Sequence, residues 1–179
     1  YNAERAWFLG QQGKTIDPAT GQPVGQVRTQ ALGYKPPAMT GEGAITVPDF
    51  NHGGTATITA DIVSAVRALF PENEWQTALH IIASESKGSN GATGAAGEIG
   101  IFQIHPIHFG TVVTLPDGSK VAINAQNLRD PIINAAAARQ IWQNSQGWGR
   151  KGAPWSTAPK VLSALGYAEG THGKPLVLN

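Results

Sequence analysis

The 179-residue sequence has no cysteine. Disulfides and thiolate metal sites are therefore excluded, and the redox compartment leaves no mark. Charge is scarce too: Asp, Glu, Lys and Arg make up 14% of residues, and the formal net charge is +1. Basic residues do not cluster beyond the pair Arg150-Lys151, so no positive field argues for nucleic acid. No apolar run approaches the roughly 18 residues of a membrane span. The chain begins at Tyr1, with neither Met nor a signal-peptide pattern, which reads as a processed or excised piece of something longer.

Glycine and proline, by contrast, are plentiful, at 22 and 12 residues. Hydrophobic residues reach 41%, enough for the core of one ordinary domain. Glycine and proline recur throughout residues 1–57, and no helical period survives there. Asp17-Pro18-Ala19-Thr20-Gly21 reads as a turn. Residues 1–57 are thus expected to form an extended arm. It would either lie on its own domain or pack against another subunit, with Trp7, Phe8, Leu9, Leu32 and Tyr34 as docking groups.

The texture changes at Thr59, and the globular domain is expected over 58–179. Thr59-Ala60-Asp61 can cap a helix. Ile62, Val63, Val66 and Leu69 then repeat at helical spacing until Pro71. A second helix is predicted from about Glu72 to Ser86, with Trp75, Leu79, Ile82 and Ser86 on one stripe and Glu85 beside it. Lys87 and Gly88 end it. Glycine and alanine dominate residues 88–100, and residues 101–104 read as a short buried segment. Pro116-Asp117-Gly118-Ser119 predicts a hairpin turn between residues 111–115 and 120–124. Asp130-Pro131 opens a third helix, with Ile133, Ala137 and Ile141 inward. A last helix is predicted over about 158–168. The sum is an α+β layout, mainly α, with a small β-hairpin and an extended N-terminal arm.

Chemistry concentrates between His80 and Pro106. A carboxylate on the core side of a helix end, facing a glycine-rich loop, has the makings of a general acid. An ordinary Glu has a pKa near 4.3 and is ionised at neutral pH. Burial disfavours the charge and raises that value, so the acid form survives. Glu85 has Ile81 and Ile82 on its own helix, and Ile101 or Phe102 is expected across the loop. The plain alternative is a solvated Glu at a helix end.

The blocks Glu85-Ser86, Gly97-Glu98-Ile99-Gly100-Ile101-Phe102-Gln103-Ile104 and Pro106 resemble the signature of the lysozyme-like lytic transglycosylases. Asn127-Leu128-Arg129-Asp130-Pro131-Ile132-Ile133-Asn134 resembles the opening of a helix in the same family. Gly147-Trp148 and Trp155-Ser156-Thr157 resemble a variant frequent in phage and actinobacterial cell-wall lytic proteins. The resemblance covers roughly residues 60–170. It implies a lysozyme-like fold and cleavage of the β-1,4 bond between N-acetylmuramic acid and N-acetylglucosamine in peptidoglycan.

Carried over by residue, the resemblance makes Glu85 the acid, switching to base in the second half-reaction. Ser86 would brace the helix end or contact an N-acetyl group. Gln103 would line the cleft, and its plain alternative is to satisfy loop backbone. Two departures stand out. The family's A-Y-N-x-G motif has no full counterpart, so Tyr167 is a weak match for its tyrosine. Glu98 replaces a small residue, and a second carboxylate would permit direct hydrolysis by a muramidase; its alternative is a solvated side chain or an ion pair with Lys87. No cofactor is implied. His105 and His108 lack an obvious third metal ligand, and His80 reads as a core histidine. Trp142 and Trp148 read as core, while Trp155 is open between core and a sugar platform. Expected partners are a peptidoglycan glycan strand and, through residues 1–57, other virion or cell-wall subunits. The expected setting is a virion or the extracellular or periplasmic wall. A glycan-binding or structural virion module without turnover, and an unrelated helical assembly protein, are the competing readings.

Overall fold

A computed structural model describes residues 43–145, 147–148 and 154–167. Among them are four α-helices and two antiparallel two-stranded sheets. Strands β1 (Ile45–Pro48) and β2 (Thr55–Ile58) pair with Ile45 opposite Ile58 and Val47 opposite Ala56. Val47, Ala56 and Ile58 are buried, so one side of this hairpin belongs to the core. The expected arm therefore carries regular structure from residue 45, and its boundary at 57 falls inside β2. Strands of four residues leave too little alternation to stand out among glycines and prolines. Residues 1–42 of that arm lie outside the described residues.

Helix α1 (Ala60–Leu69) buries Ile62, Val63, Ala65, Val66 and Leu69, the spacing of one helical face. Its N-cap is Thr59, whose hydroxyl bonds to the Asp61 carboxylate and not to a backbone N–H. The predicted second helix divides in two. Residues Glu72–Glu74 form a 3₁₀ turn, and α2 runs from Trp75 to Ser86. Every residue from Thr77 to Ser84 is buried, so α2 is covered on all sides and not along one stripe. It is the central helix: β1, β2, α1 and, later in the chain, helix α4 (Ala158–Ala164) all pack on it. Lys87 takes a left-handed φ of 51° and Gly88 one of 79°, which ends α2 where the sequence indicates.

The predicted hairpin forms as β3 (Val112–Thr114) and β4 (Lys120–Ala122), turned through Gly118 at φ 86°. Helix α3 (Pro131–Asn144) starts as expected, with Asp130 Oδ1 accepting from Ile132 N at 2.9 Å. Its inner face is Asn134 to Ala138 and Trp142, while Ile133 and Ile141 are half-buried. The single run Ala135–Ala138 lets α3 lie close against its neighbours, α1 above all. The helix α4 stops earlier than expected, at Ala164, because Gly166 turns to φ 81°.

Phe70, Phe102, Trp142, Trp148 and Trp155 interlock, with ring centroids 5.0–6.0 Å apart. All five are core residues, so Trp155 joins the two tryptophans expected inside. Burying a ring of this kind contributes about 1.5–3 kcal/mol. The cluster joins the ends of α1 and α3 to the loop after α2. That connection fixes the loop that faces Glu85.

Candidate active site

Glu85 lies in the last turn of α2, half-buried. The Thr157 hydroxyl, just before α4, donates to its Oε1 at 2.6 Å. Burial raises the Glu85 carboxyl above its ordinary value. The Thr157 hydrogen bond pulls the other way, the Glu98 charge adds to the rise, and His52 opposes it. With the Thr157 hydroxyl donating to Oε1, Oε2 is the oxygen left open to carry an acid proton.

Ser86 adjoins it but serves the backbone. Its hydroxyl donates to Ile101 O at 2.8 Å and lies 3.2 Å from Ile82 O, and it accepts from Gly88 N at 3.2 Å. It therefore braces the helix end against the loop, one of the two roles expected of it.

The glycine-rich loop folds back on itself through bridges Thr93–Ile99 and Ile99–Ile104. Asn134, fully buried on α3, locks it. Its Oδ1 accepts from Phe102 N at 3.0 Å, and its Nδ2 donates to Ile99 O at 2.9 Å and Leu128 O at 2.8 Å. Gly100 (φ 78°) passes so near that a Cβ would sit 2.3 Å from Asn134 Nδ2. Gln103 takes a left-handed φ of 49°, sparsely populated for a residue with a Cβ. Its amide nitrogen donates to Gly100 O at 2.9 Å and Ala92 O at 3.2 Å. Both donors thus satisfy loop backbone. Its Oε1 lies on the side of Gly94, as does the Glu98 carboxylate; a Cβ on Gly94 would meet them at 2.7 and 2.2 Å.

Glu98 Oε2 accepts from Ala96 N at 2.9 Å. The ion pair considered between Glu98 and Lys87 is replaced by another: Lys87 Nζ lies 3.0 Å from Asp49 Oδ2. Glu85, Glu98 and Gln103 are thus gathered around one loop. Tyr167 stands apart in the chain, after α4, with its N–H on Leu162 O at 3.0 Å and its ring half-buried against the core. His80 is fully buried, with Nδ1 2.7 Å from Gln76 O and its ring stacked on Phe50. His105 Nδ1 accepts from Ile107 N at 3.1 Å.

A groove of about 560 Å³ runs between the Pro106–His108 turn, β3 and α3, and includes His105, His108, Gln140 and Asn144. Glu85, Glu98 and Gln103 do not line it. It adjoins their loop through Pro106, whose Cγ a Cβ on Gly97 would meet at 3.2 Å.

Thr157 is the partner of Glu85 that sequence reasoning missed. The triplet Trp155-Ser156-Thr157 attracted notice, but nothing in it points to a carboxylate 72 positions earlier.

The packed helices around α2 and the two small antiparallel sheets make a mainly α, lysozyme-like fold of α+β class. The family model for the transglycosylase SLT domain matches residues 64–172, and the chain belongs to that family, the lysozyme-like lytic transglycosylases. Membership supports peptidoglycan lytic transglycosylase activity in general and implies a peptidoglycan substrate. No curated protein and no solved structure matches the chain. Among the described residues no helix is long and apolar enough to cross a membrane.

Proposed function

We propose that Glu85 is the general acid and then the general base of a lytic transglycosylase acting on the β-1,4 bond between N-acetylmuramic acid and N-acetylglucosamine. The observation that carries this reading is the Glu85 carboxyl itself: raised by burial, and held at one oxygen by Thr157. The Oε2 proton passes to the bridging oxygen as the bond from the anomeric carbon breaks and an oxocarbenium-like centre develops. Glu85, now a carboxylate, takes the proton from the same sugar's own hydroxyl. That oxygen closes on the anomeric carbon and leaves an anhydro end. Gly94, on the side of Glu98 and Gln103, keeps side-chain bulk away from the approaching glycan. Ser86 and Gln103 shape this wall, and Tyr167 is the weakest member of the proposed site.

A second reading follows from Glu98, whose charge reaches Glu85. With Glu98 positioning a water, the product would carry a reducing end. A site of action at the cell wall, from a virion or from a secreted system, fits the peptidoglycan substrate. Residues 1–57 are the proposed contact with other subunits of such machinery.

Purified sacculi test the proposal. Glu85→Gln is expected to lose activity by about 10²–10⁴-fold while still binding the sacculi. Activity of the native chain should fall as pH rises through the raised Glu85 value, because the acid form is then lost. Released fragments one water lighter than the reducing product identify the anhydro reaction. Equal clearing by Glu85→Gln and the native chain would remove Glu85 from the mechanism.

A further inference from the structure

Residues Asp49 to Gly54 join β1 to β2 and precede residue 64, where the family match begins. Family membership therefore gives this turn no role. Its contacts do. Asn51 Nδ2 donates to Ser84 Oγ at 3.0 Å and to Thr157 O at 3.0 Å. An amide nitrogen has two hydrogens, and both are placed. A carbonyl can only accept, so the nitrogen and not the oxygen must face Thr157. Ser84 immediately precedes Glu85 on α2. Thr157 is the residue whose hydroxyl holds Glu85 Oε1. One side chain thus spans both ends of the Thr157–Glu85 bond.

The turn is built to hold that amide still. The Asp49 side chain is fully buried, and its Oδ1 accepts from Asn51 N at 3.0 Å and His52 N at 2.9 Å. Its Oδ2 lies 3.1 Å from His52 Nδ1 and 3.0 Å from Lys87 Nζ. The backbone closes through Asp49 N to Gly54 O and Gly53 N to Asp49 O. Phe50 stacks on His80 at 5.8 Å. The turn therefore grips α2 at His80, Ser84 and Lys87, spaced as one helical face. Beyond them, a Cβ on Gly88 would lie 3.0 Å from Thr57 O, so β2 also closes on the helix end.

We infer that Asn51 is a positioning residue for the reaction: through Thr157 it fixes which oxygen of Glu85 keeps the acid proton. The inference rests on Glu85 being the acid. The groups facing that carboxyl are Thr157 from the segment before α4, Glu98 from the glycine-rich loop and His52 from this turn. Thr157 favours the ionised form, so loosening it moves the Glu85 value further up.

The test uses the full chain with sacculi as substrate and compares Asn51→Ala, Thr157→Val and the double variant, each checked for native circular dichroism. Asn51→Ala should lower the turnover rate on the order of ten- to a hundredfold, with binding to sacculi unchanged. The alkaline limb of its pH–activity profile should move upward, in the same direction as that of Thr157→Val. The double variant should be no slower than Thr157→Val alone, since Asn51 acts through Thr157. Should Asn51→Ala not fold, Asn51→Gln keeps the amide but misplaces it, and the same comparison holds. Native turnover in a folded Asn51 variant, or losses that simply multiply in the double variant, would overturn the inference. Glu85→Gln separates the two ideas: if it stays active the acid assignment fails, whereas an inactive Glu85→Gln beside a fully active Asn51→Ala sinks only the positioning role.

Discussion

Replacing Glu74 by glutamine should flatten the pH dependence of stability between pH 4.5 and 7. Glu74 closes the 3₁₀ turn before α2, and its side chain is buried. Burial pushes it from the ordinary 4.5 up to about 7, opposed only by the Trp148 indole N–H, which donates to Oε2 at 2.8 Å. Below pH 4.5 the carboxyl is protonated in both the folded and the unfolded chain, and its contribution to stability is at full value. Between 4.5 and 7 the unfolded chain releases the proton and the folded one keeps it. Stability then falls by about 1.4 kcal/mol per pH unit, about 3 kcal/mol in all, and stops falling above pH 7. Glutamine keeps an acceptor for Trp148 but has no proton to lose. Any fixed penalty of the amide is the same at every pH, and groups such as Glu85 titrate alike in both proteins. The difference between the two stability curves therefore isolates Glu74. Urea unfolding of both proteins at several pH values across this window measures it. Parallel curves would refute the reasoning and show that water or a rearrangement reaches the Glu74 carboxyl.

Two glycines of the loop after α2 should respond very differently to alanine. Gly100→Ala combines a φ of 78° with a Cβ 2.3 Å from Asn134 Nδ2 and 2.5 Å from Leu128 O. It should cost about 3 kcal/mol or more, read as a large drop in the thermal midpoint or as insoluble protein. Gly94→Ala meets chiefly the end of the Glu98 side chain, at 2.2 Å. That end can swing away, so the midpoint should fall much less; an equal drop would mean that the Glu98 carboxylate is fixed in place.

The parts of the fold legible in sequence were those decided by neighbours in the chain. Asp130-Pro131 starts α3, Lys87-Gly88 ends α2, and the Pro116–Ser119 turn makes the second hairpin, each for a local reason. The position of Glu85 on the core side of its helix was legible on the same grounds. What stayed hidden depends on distant partners. Thr157 reaches Glu85 only once α4 packs on α2, and Asp49 takes Lys87 only once β1 lies beside the helix end. The apolar stripe of α2 understated its burial because Thr77, His80 and Ser84 look polar yet are enclosed. Gln103 read equally well as a sugar contact or a backbone prop. Its left-handed backbone, which points the amide into the loop, has no sequence signature.

Three of the five tryptophans, Trp142, Trp148 and Trp155, lie in one shielded cluster with Phe70 and Phe102. Phe102 adjoins Gln103, and Trp155 is two residues from Thr157. The share of the intrinsic fluorescence that comes from these three is thereby tied to the loop wall: its emission colour and near-ultraviolet ellipticity report whether the loop and the Thr157 segment are seated, without any attached dye.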